Sequence, residues 1–194
     1  LSFMKDSVPD LRETPQVLEF VSTWSSHGFG SVLLFLLFGT VLTLILQSSS
    51  ATMAITLIML SMGWIPFQMA CAMVLGENIG TTITATIAAS VGNTQAKRAA
   101  MSHTIFNVFG VLWVLMLFKP FLQLVGLVTE TVFGLPNPAA DGFMVTDSNA
   151  EEGTAALYGL SMLHTLFNLT NTLLLIWFTK QIAMFVSWII PAPK

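Results

Sequence analysis

Between Glu19 and Lys97 the chain has a single formally charged side chain, Glu77. Water-soluble domains carry about 25% charged residues, and none of this size leaves so long a span nearly uncharged. The stretch therefore belongs in a lipid bilayer, and the chain reads as an integral membrane protein. Over all 194 residues, 54% are hydrophobic and 9% charged, with a mean hydropathy of +0.78. The apolar runs are long and do not alternate, so the spans are expected to be helices rather than barrel strands. A net charge of -3 without a basic face excludes nucleic acid as a partner. The lone Cys71 excludes a disulfide or zinc framework and reads as a small core hydrophobe. The polar opening "LSFMKDSVPDLRETPQ" is not a signal peptide, and its lack of an initial Met suggests a fragment of a longer chain.

Along the chain, 1–27 is a mixed polar and interfacial segment, with a short helix expected in "PQVLEFVSTW". A first hydrophobic element runs from Gly28 to Leu46, is interrupted at 47–50 by "QSSS", and resumes as "ATMAITLIMLSMG" before "GWIP" turns the chain. The second arm rises only about 18 Å, short of a hydrocarbon core of about 30 Å. A re-entrant helical hairpin with Gln47 to Ser50 at its tip is the expected shape. "FQMACAMVLGENIGTTITATIAASV", from Phe67 to Val91, is long enough to span. Two glycines around a charge favour local unwinding, so a discontinuous helix broken at Gly76 to Gly80 is expected. A normal span follows from about Ala99 to Phe118, which closes a unit over 28–119. Segment 120–154 holds an apolar stretch near the interface and the acidic loop "NPAADGFMVTDSNAEEG"; 155–194 holds a last span to about Phe178, then Lys180 and an apolar tail. Lys97, Arg98 and Lys180 fall on one side against Lys119 on the other, which puts the 93–98 loop and Lys180 in the cytoplasm of a cell-membrane protein.

Two interrupted segments in succession carry the chemistry. Half-helix N-termini present free N–H groups and a positive dipole end to anions. Ser48, Ser49, Ser50 and Thr52 stand where the second hairpin arm begins, a cage suited to a tetrahedral oxyanion. Gln47 and freed carbonyls of the first arm suit a small hard cation such as sodium. Asn78, Thr81 and Thr82 repeat the pattern, with Thr84 and Thr86 extending the polar face. No Lys or Arg lies near either break, so a bound phosphate would need co-bound cations to offset its charge. The plainer reading is that hydroxyls bond their own i-4 carbonyls and that Gly76-xxx-Gly80 is a helix-packing motif. Glu77, an intramembrane carboxylate, is a candidate cation ligand or proton carrier, or a neutral structural group.

"HTIFN" at 103–107 and "HTLFN" at 164–168 echo each other. His103 with Asn107, and His164 with Asn168, lie at i and i+4 on one face of each helix. They read either as a proton-sensitive pair near the cavity or as interhelical hydrogen bonds that hold the bundle. A serine–histidine enzyme is disfavoured, since the QSSS run has no local base; the chain is not expected to be an enzyme.

"QSSSATMAIT", then "VLGENIGTTITA", then "KRAAMSHTIFNVFG", in this order and spacing, resembles the type II sodium–phosphate cotransporter family in its bacterial branch. The resemblance implies an all-α fold of two inverted repeats, each with one QSSS hairpin and one discontinuous helix, and sodium-driven phosphate import by alternating access. It implies that Gln47 to Ser50 are half of the substrate site, and that Asn78, Thr81 and Thr82 stand in the unwound helix for sodium and phosphate. No cofactor is implied beyond sodium as coupling ion, held through Gln47, Asn78 and Thr81. Only one QSSS is present, so this chain resembles the second repeat, and the other half would come from a longer native chain or a homodimer mate. Glu77 stands where better-known members carry a small residue. Alternative readings are transport of another oxyanion or a dicarboxylate, and a phosphate-linked regulatory or scaffold unit.

Overall fold

The computed structural model describes residues 23–25, 28–146 and 149–192. The helix expected in 15–24 thus falls almost wholly outside the described residues. The elements in chain order are α1 (Phe29–Leu46), α2 (Ser49–Ser61), α3 (Phe67–Ala89), α4 (Thr94–Met116), α5 (Phe118–Phe133), α6 (Ala150–Leu175), a 3₁₀ turn (Ile176–Phe178) and α7 (Thr179–Ile189). Among the described residues there is no strand. Among the described residues three stretches are long and apolar enough to cross a membrane: Phe29–Leu46, Thr94–Met116 and Ala150–Ile189.

The "QSSS" run breaks the first hydrophobic element as expected. α1 ends at Leu46 and α2 begins at Ser49, so only Gln47 and Ser48 form the turn. Ser48 is extended and caps α2, its Oγ accepting from Ala51 N at 3.3 Å; a serine is among the best residues for that position. α2 has 13 residues, about 20 Å of rise, which is shorter than a hydrocarbon core.

The expected break in the next segment is absent. α3 is one continuous helix of 23 residues from Phe67 to Ala89. Gly76 and Gly80 have another use. A Cβ on Gly76 would strike the backbone oxygen of Leu36 in α1, and one on Gly80 would come within 2.8 Å of Thr40 O and 2.7 Å of Thr43 Cβ. Gly39 of α1 meets the backbone of Met73 in the same way. Both helices advance together through these contacts, so α1 and α3 run parallel with their backbones touching. Thr40 Oγ1 lies 2.9 Å from Gly76 O, adding a hydrogen bond across the seam. The entropy that glycine costs a helix is offset by this approach, and unwinding would expose backbone groups of a helix buried on most sides. Leu75, Met73 and Ala70 to Ala72 are fully covered.

α4 and α5 are separated by Leu117 alone. Pro120, in the first turn of α5, has no N–H to offer the Met116 carbonyl, so the chain bends there. The stretch expected near the interface is largely α5, of 16 residues, which buries Phe121, Leu122, Val125, Gly126 and Thr129. The acidic loop is less free than its composition predicts. Asn137 sits against Gly126, and Pro138 is buried against Gly159 of α6. The expected tail after Phe178 is helical: Lys180 lies in the first turn of α7. Arg98 Nε donates to Ile190 O at 2.9 Å, so the start of α4 and the end of α7 share one end of the bundle.

Because the seam is backbone against backbone, Gly76→Ala is expected to destabilise the protein by at least the roughly 1–3 kcal/mol typical of overpacking. Gly30, whose Cβ would meet nothing within 4 Å, is the control. Thermal unfolding in detergent should show a marked fall for Gly76→Ala and little change for Gly30→Ala; equal melting would refute the seam.

Candidate substrate and ion site

The end of α1 leading to the hairpin tip packs on α3 at Gly80. Thr43 of α1 donates to Thr52 of α2 at 3.1 Å, and Thr43 also packs on Gly80 of α3. Thr43 and Thr52 are both buried. Thr43 thus joins α1 to both α2 and α3 one helical turn before the hairpin tip. Thr43 does not stand out in sequence, where it is one more threonine in an apolar run; only its spacing of four from Gly39 hints at a role.

Gln47 is the one non-glycine residue with positive φ among the described residues, at φ 51 and ψ 28. That left-handed conformation costs an L-residue roughly 1–2 kcal/mol, and glycine is the usual choice. Strained positions of this kind concentrate at functional sites. The strain turns the chain so that α2 starts at once, and the Gln47 side chain is exposed. Ser48 Oγ and Ser50 Oγ lie 3.2 Å apart. Thr52 N is satisfied by Ser48 O at 3.1 Å, and Thr52 Oγ1 bonds the same carbonyl at 3.1 Å. The side chains of Gln47 and Ser49 make no hydrogen bond among the described residues. The first-turn N–H groups of Ser49 and Ser50 have no i-4 partner inside the helix. The tip thus offers two N–H groups at a helix N-terminus, the Ser49 hydroxyl and the Gln47 amide, a set that suits an oxyanion.

On α3 the polar side chains largely bond their own helix. Asn78 Nδ2 donates to Val74 O at 2.8 Å, Thr81 to Glu77 O at 2.9 Å, and Thr82 to Ile79 O at 2.8 Å. Thr84 and Thr86 donate to Thr81 O and Thr82 O. The hydroxyl and amide hydrogens are therefore engaged, while the oxygens of Asn78 and Thr81 remain acceptors on partly exposed residues; acceptors alone are what a hard cation uses. Thr82 is fully buried and faces the interior. Glu77 is 3% exposed, and its Oε2 has no hydrogen-bond partner. Among the described residues no group of three or more His, Cys, Asp and Glu is placed to hold a metal.

The His and Asn pairs do not make the interhelical bonds offered as one reading. Asn107 and Asn168 each donate to the carbonyl of their own His, at 3.1 and 2.9 Å, and His103 is exposed. The i and i+4 spacing creates that local bond. Asn171 ties the helices instead: its Nδ2 donates to Phe106 O at 2.8 Å, and its Oδ1 accepts from Trp113 Nε1 at 3.3 Å. It is fully buried, against Gly110. The sequence signal was an amide deep in "NLTNTLLLIW", overshadowed by the repeated pentapeptide.

A family model described as Na+/Pi-cotransporter matches residues 4–135. The chain belongs to the Na+/Pi-cotransporter family. The match covers α1 to α5 and so contains both the hairpin and α3. Among relatives, the uncharacterized protein YqeW of Bacillus subtilis is 36% identical over 157 residues, covering 81% of this chain and 43% of that protein. The putative inorganic phosphate export protein YjbB of Escherichia coli K12 is 29% identical over 161 residues, 83% of this chain and 25% of that protein. Sodium-dependent phosphate transport protein 2B of Rattus norvegicus is 40% identical over 81 residues, 40% of this chain and 12% of that protein. This family member thus spans less than half the length of these curated relatives. No solved structure matches it.

Two substitutions separate the roles. Asn171→Ala strands Trp113 Nε1 and is expected to cost about 1–2 kcal/mol, whereas Asn168→Ala, which loses only a local bond, should change thermal stability little. At the tip, Gln47→Gly relieves the left-handed strain and should melt no lower than wild type, while the β-branched Gln47→Val should lose about 1–2 kcal/mol. Melting curves of the four variants check both.

Proposed function

We propose that this chain supplies half of the substrate and ion site of a sodium-coupled phosphate transporter that works by alternating access, without covalent chemistry. The observation that carries this reading is the tip of the α1–α2 hairpin, where strained Gln47 and the unpartnered Ser49 hydroxyl meet the N-terminus of α2. Phosphate would be held by the Ser49 and Ser50 N–H groups and by the hydroxyls of Ser48, Ser49 and Ser50. Sodium would bind the amide oxygens of Gln47 and Asn78 and the Thr81 hydroxyl, oxygen ligands suited to a hard cation. Thr52 serves by holding α2 to Thr43, and Thr82 by packing. The hairpin is read as re-entrant because α2 is too short to cross. His103, Asn107, His164 and Asn168 lie outside this site.

The missing half would come from a second QSSS hairpin, in inverted orientation, from the remainder of a longer chain or from a second copy. Family membership and the name of the sodium-dependent relative support sodium and phosphate as ligands. Import is the direction proposed; the exporter name of the similar bacterial protein favours export as the second reading. The excess of basic residues at that end favours the cytoplasmic side for the 93–98 loop and Lys180, and the Arg98 contact to Ile190 supports only that α4 begins and α7 finishes at one end. Since the native thiol Cys71 is buried, a cysteine introduced at Asn93 should react with impermeant reagents only from the cytoplasmic face.

Labelled phosphate flux in proteoliposomes, with sodium imposed on either side, tests function and direction together. Sodium-dependent flux is expected in the full-length protein and not in residues 1–194 alone, unless copies pair. Ser49→Ala and Gln47→Ala are each expected to lower flux by at least a hundredfold with folded protein retained. Wild-type rates in both would reject the site.

A further inference from the structure

α6 alone is long enough for a crossing. Its 26 residues rise about 39 Å, more than a hydrocarbon core of about 30 Å, so the 3₁₀ turn and α7 fall at the interface. α7 does not run on along the bundle. Thr179 and Ile182 share a cavity with Ser102 and Phe106 of α4, and Ile190 reaches Arg98, one turn before Ser102. That turn rises about 6 Å, whereas Thr179 to Ile190 rises about 16 Å, so α7 crosses the start of α4 obliquely. Phe185 and Trp188 of α7 stack with ring centroids 6.1 Å apart and stand exposed, as aromatic residues do at a membrane–water interface.

Three basic residues adjoin the lining of that cavity. Ser102 Oγ donates to the Arg98 carbonyl at 2.9 Å, Lys97 precedes Arg98, and Lys180 follows Thr179. No Asp or Glu occurs in 78–129 or in 153–194, so no acid on α4, α7 or the adjoining end of α6 offsets them. Arg98 is half-buried and fixed through Nε to Ile190 O. Its two terminal amino groups have no partner among the described residues, which leaves a positioned fork for a phosphate. The cavity measures about 370 Å³, within the range of sites that enclose a ligand. It offers no polar hydrogen: the hydroxyls of Ser102, Thr172 and Thr179 each donate to a backbone carbonyl three or four residues earlier. Phe106, Ile182 and Ala183 are left to meet the occupant, and they suit hydrocarbon.

We propose that the start of α4 and α7 together form a binding site for one anionic phospholipid. Its phosphate sits among Lys97, Arg98 and Lys180, and an acyl chain fills the cavity between Phe106 and Ile182. Charge complementarity selects the headgroup, as in other basic pockets between membrane helices, and the lipid clasps α7 to α4. The site shares no residue with the hairpin tip and does not depend on the transport reading.

Native mass spectrometry of the full-length protein in detergent, titrated with phosphatidylglycerol or with phosphatidylcholine of the same acyl chains, tests the site. The first phosphatidylglycerol should bind at least about tenfold more tightly, and each basic residue removed should weaken it about fivefold. Lys97→Gln and Lys180→Gln change exposed side chains that make no bond among the described residues, so the double variant serves if Arg98→Gln does not fold. Ala183→Trp fills the cavity with every charge retained and should weaken binding by a similar factor. Lys119→Gln, beyond the other end of α4, should leave it unchanged, and millimolar inorganic phosphate should not displace the lipid. Equal affinity for the two lipids, or undiminished affinity in the double variant or in Ala183→Trp, overturns the proposal. So does an equal loss in Lys119→Gln, which would mean attraction by net charge alone. Displacement by inorganic phosphate also overturns it, and would make the basic cluster a site for the free anion.

Discussion

The backbone contact between α1 and α3 is the constraint on which the remainder depends. Lipid tails are as apolar as leucine, so helices in a bilayer gain little by hiding apolar side chains from one another. They gain by close packing and by hydrogen bonds that lipid cannot supply. Gly39, Gly76 and Gly80 remove the side chains that would hold the helices apart, and Thr40 adds a hydrogen bond to the buried carbonyl of Gly76. With α1 fixed on α3, the end of α1 can lie nowhere but beside the Asn78 to Thr84 stretch. The Thr43 to Thr52 bond then brings α2 back along the same helix. Position at the tip is thus decided by three residues without side chains.

Polarity in this half of the chain sorts into silent and available groups. Thr40, Thr43, Thr56, Thr81, Thr82, Thr84 and Thr86 each bond a carbonyl of their own helix. For a threonine in a membrane helix that is the low-energy resting state, and it makes "TTITAT" far less reactive than its composition implies. The hairpin tip differs because its residues fall at helix ends. Ser48 Oγ accepts the capping bond and keeps only its O–H to give, whereas Ser49 stands at the first helical position, where no carbonyl lies behind it to accept. A sequence of four adjacent polar residues therefore contains unequal members, and helix phase decides which of them can meet a ligand.

The membrane class and the hairpin were legible because each follows from a local rule: charge depletion, an apolar run cut by polar residues, an arm too short to span. The expected four-residue tip is shortened to Gln47 and Ser48, because Ser49 and Ser50 already belong to α2. α3 was misread for a reason that the same rules contain. Glycine weakens a helix in isolation, but "GENIG" is not in isolation, and the neighbour that turns its glycines into a docking surface lies in α1, more than thirty residues earlier. Local pattern cannot see that partner. The pairs in "HTIFN" and "HTLFN" failed similarly: their regular spacing is the geometry of a bond within one helix, while Asn171, which joins two helices, has no repeat to advertise it. The bend at Pro120 and the docking of Pro138 on Gly159 also need tertiary neighbours, although the first had its proline in plain view.

Charge imposes the last step. Phosphate at the tip would meet N–H groups and hydroxyls but no Lys or Arg, since none occurs between Glu19 and Lys97. Partial charges of a helix N-terminus amount to about half an elementary charge, which is less than a phosphate carries. The deficit deepens at Glu77, because an ionised carboxylate in the same poorly screened region would repel the anion. Both negative groups can be present only if cations enter with phosphate or if the carboxylate is already neutral. A phosphate site of this composition would therefore need small cations as co-ligands: it would be weak for phosphate alone and would tighten as cations offset the charge. On the proposed reading, coupling would follow from the absence of fixed positive charge. A lysine placed in the tip would bind phosphate more tightly and, by doing the cation's work permanently, would uncouple the two.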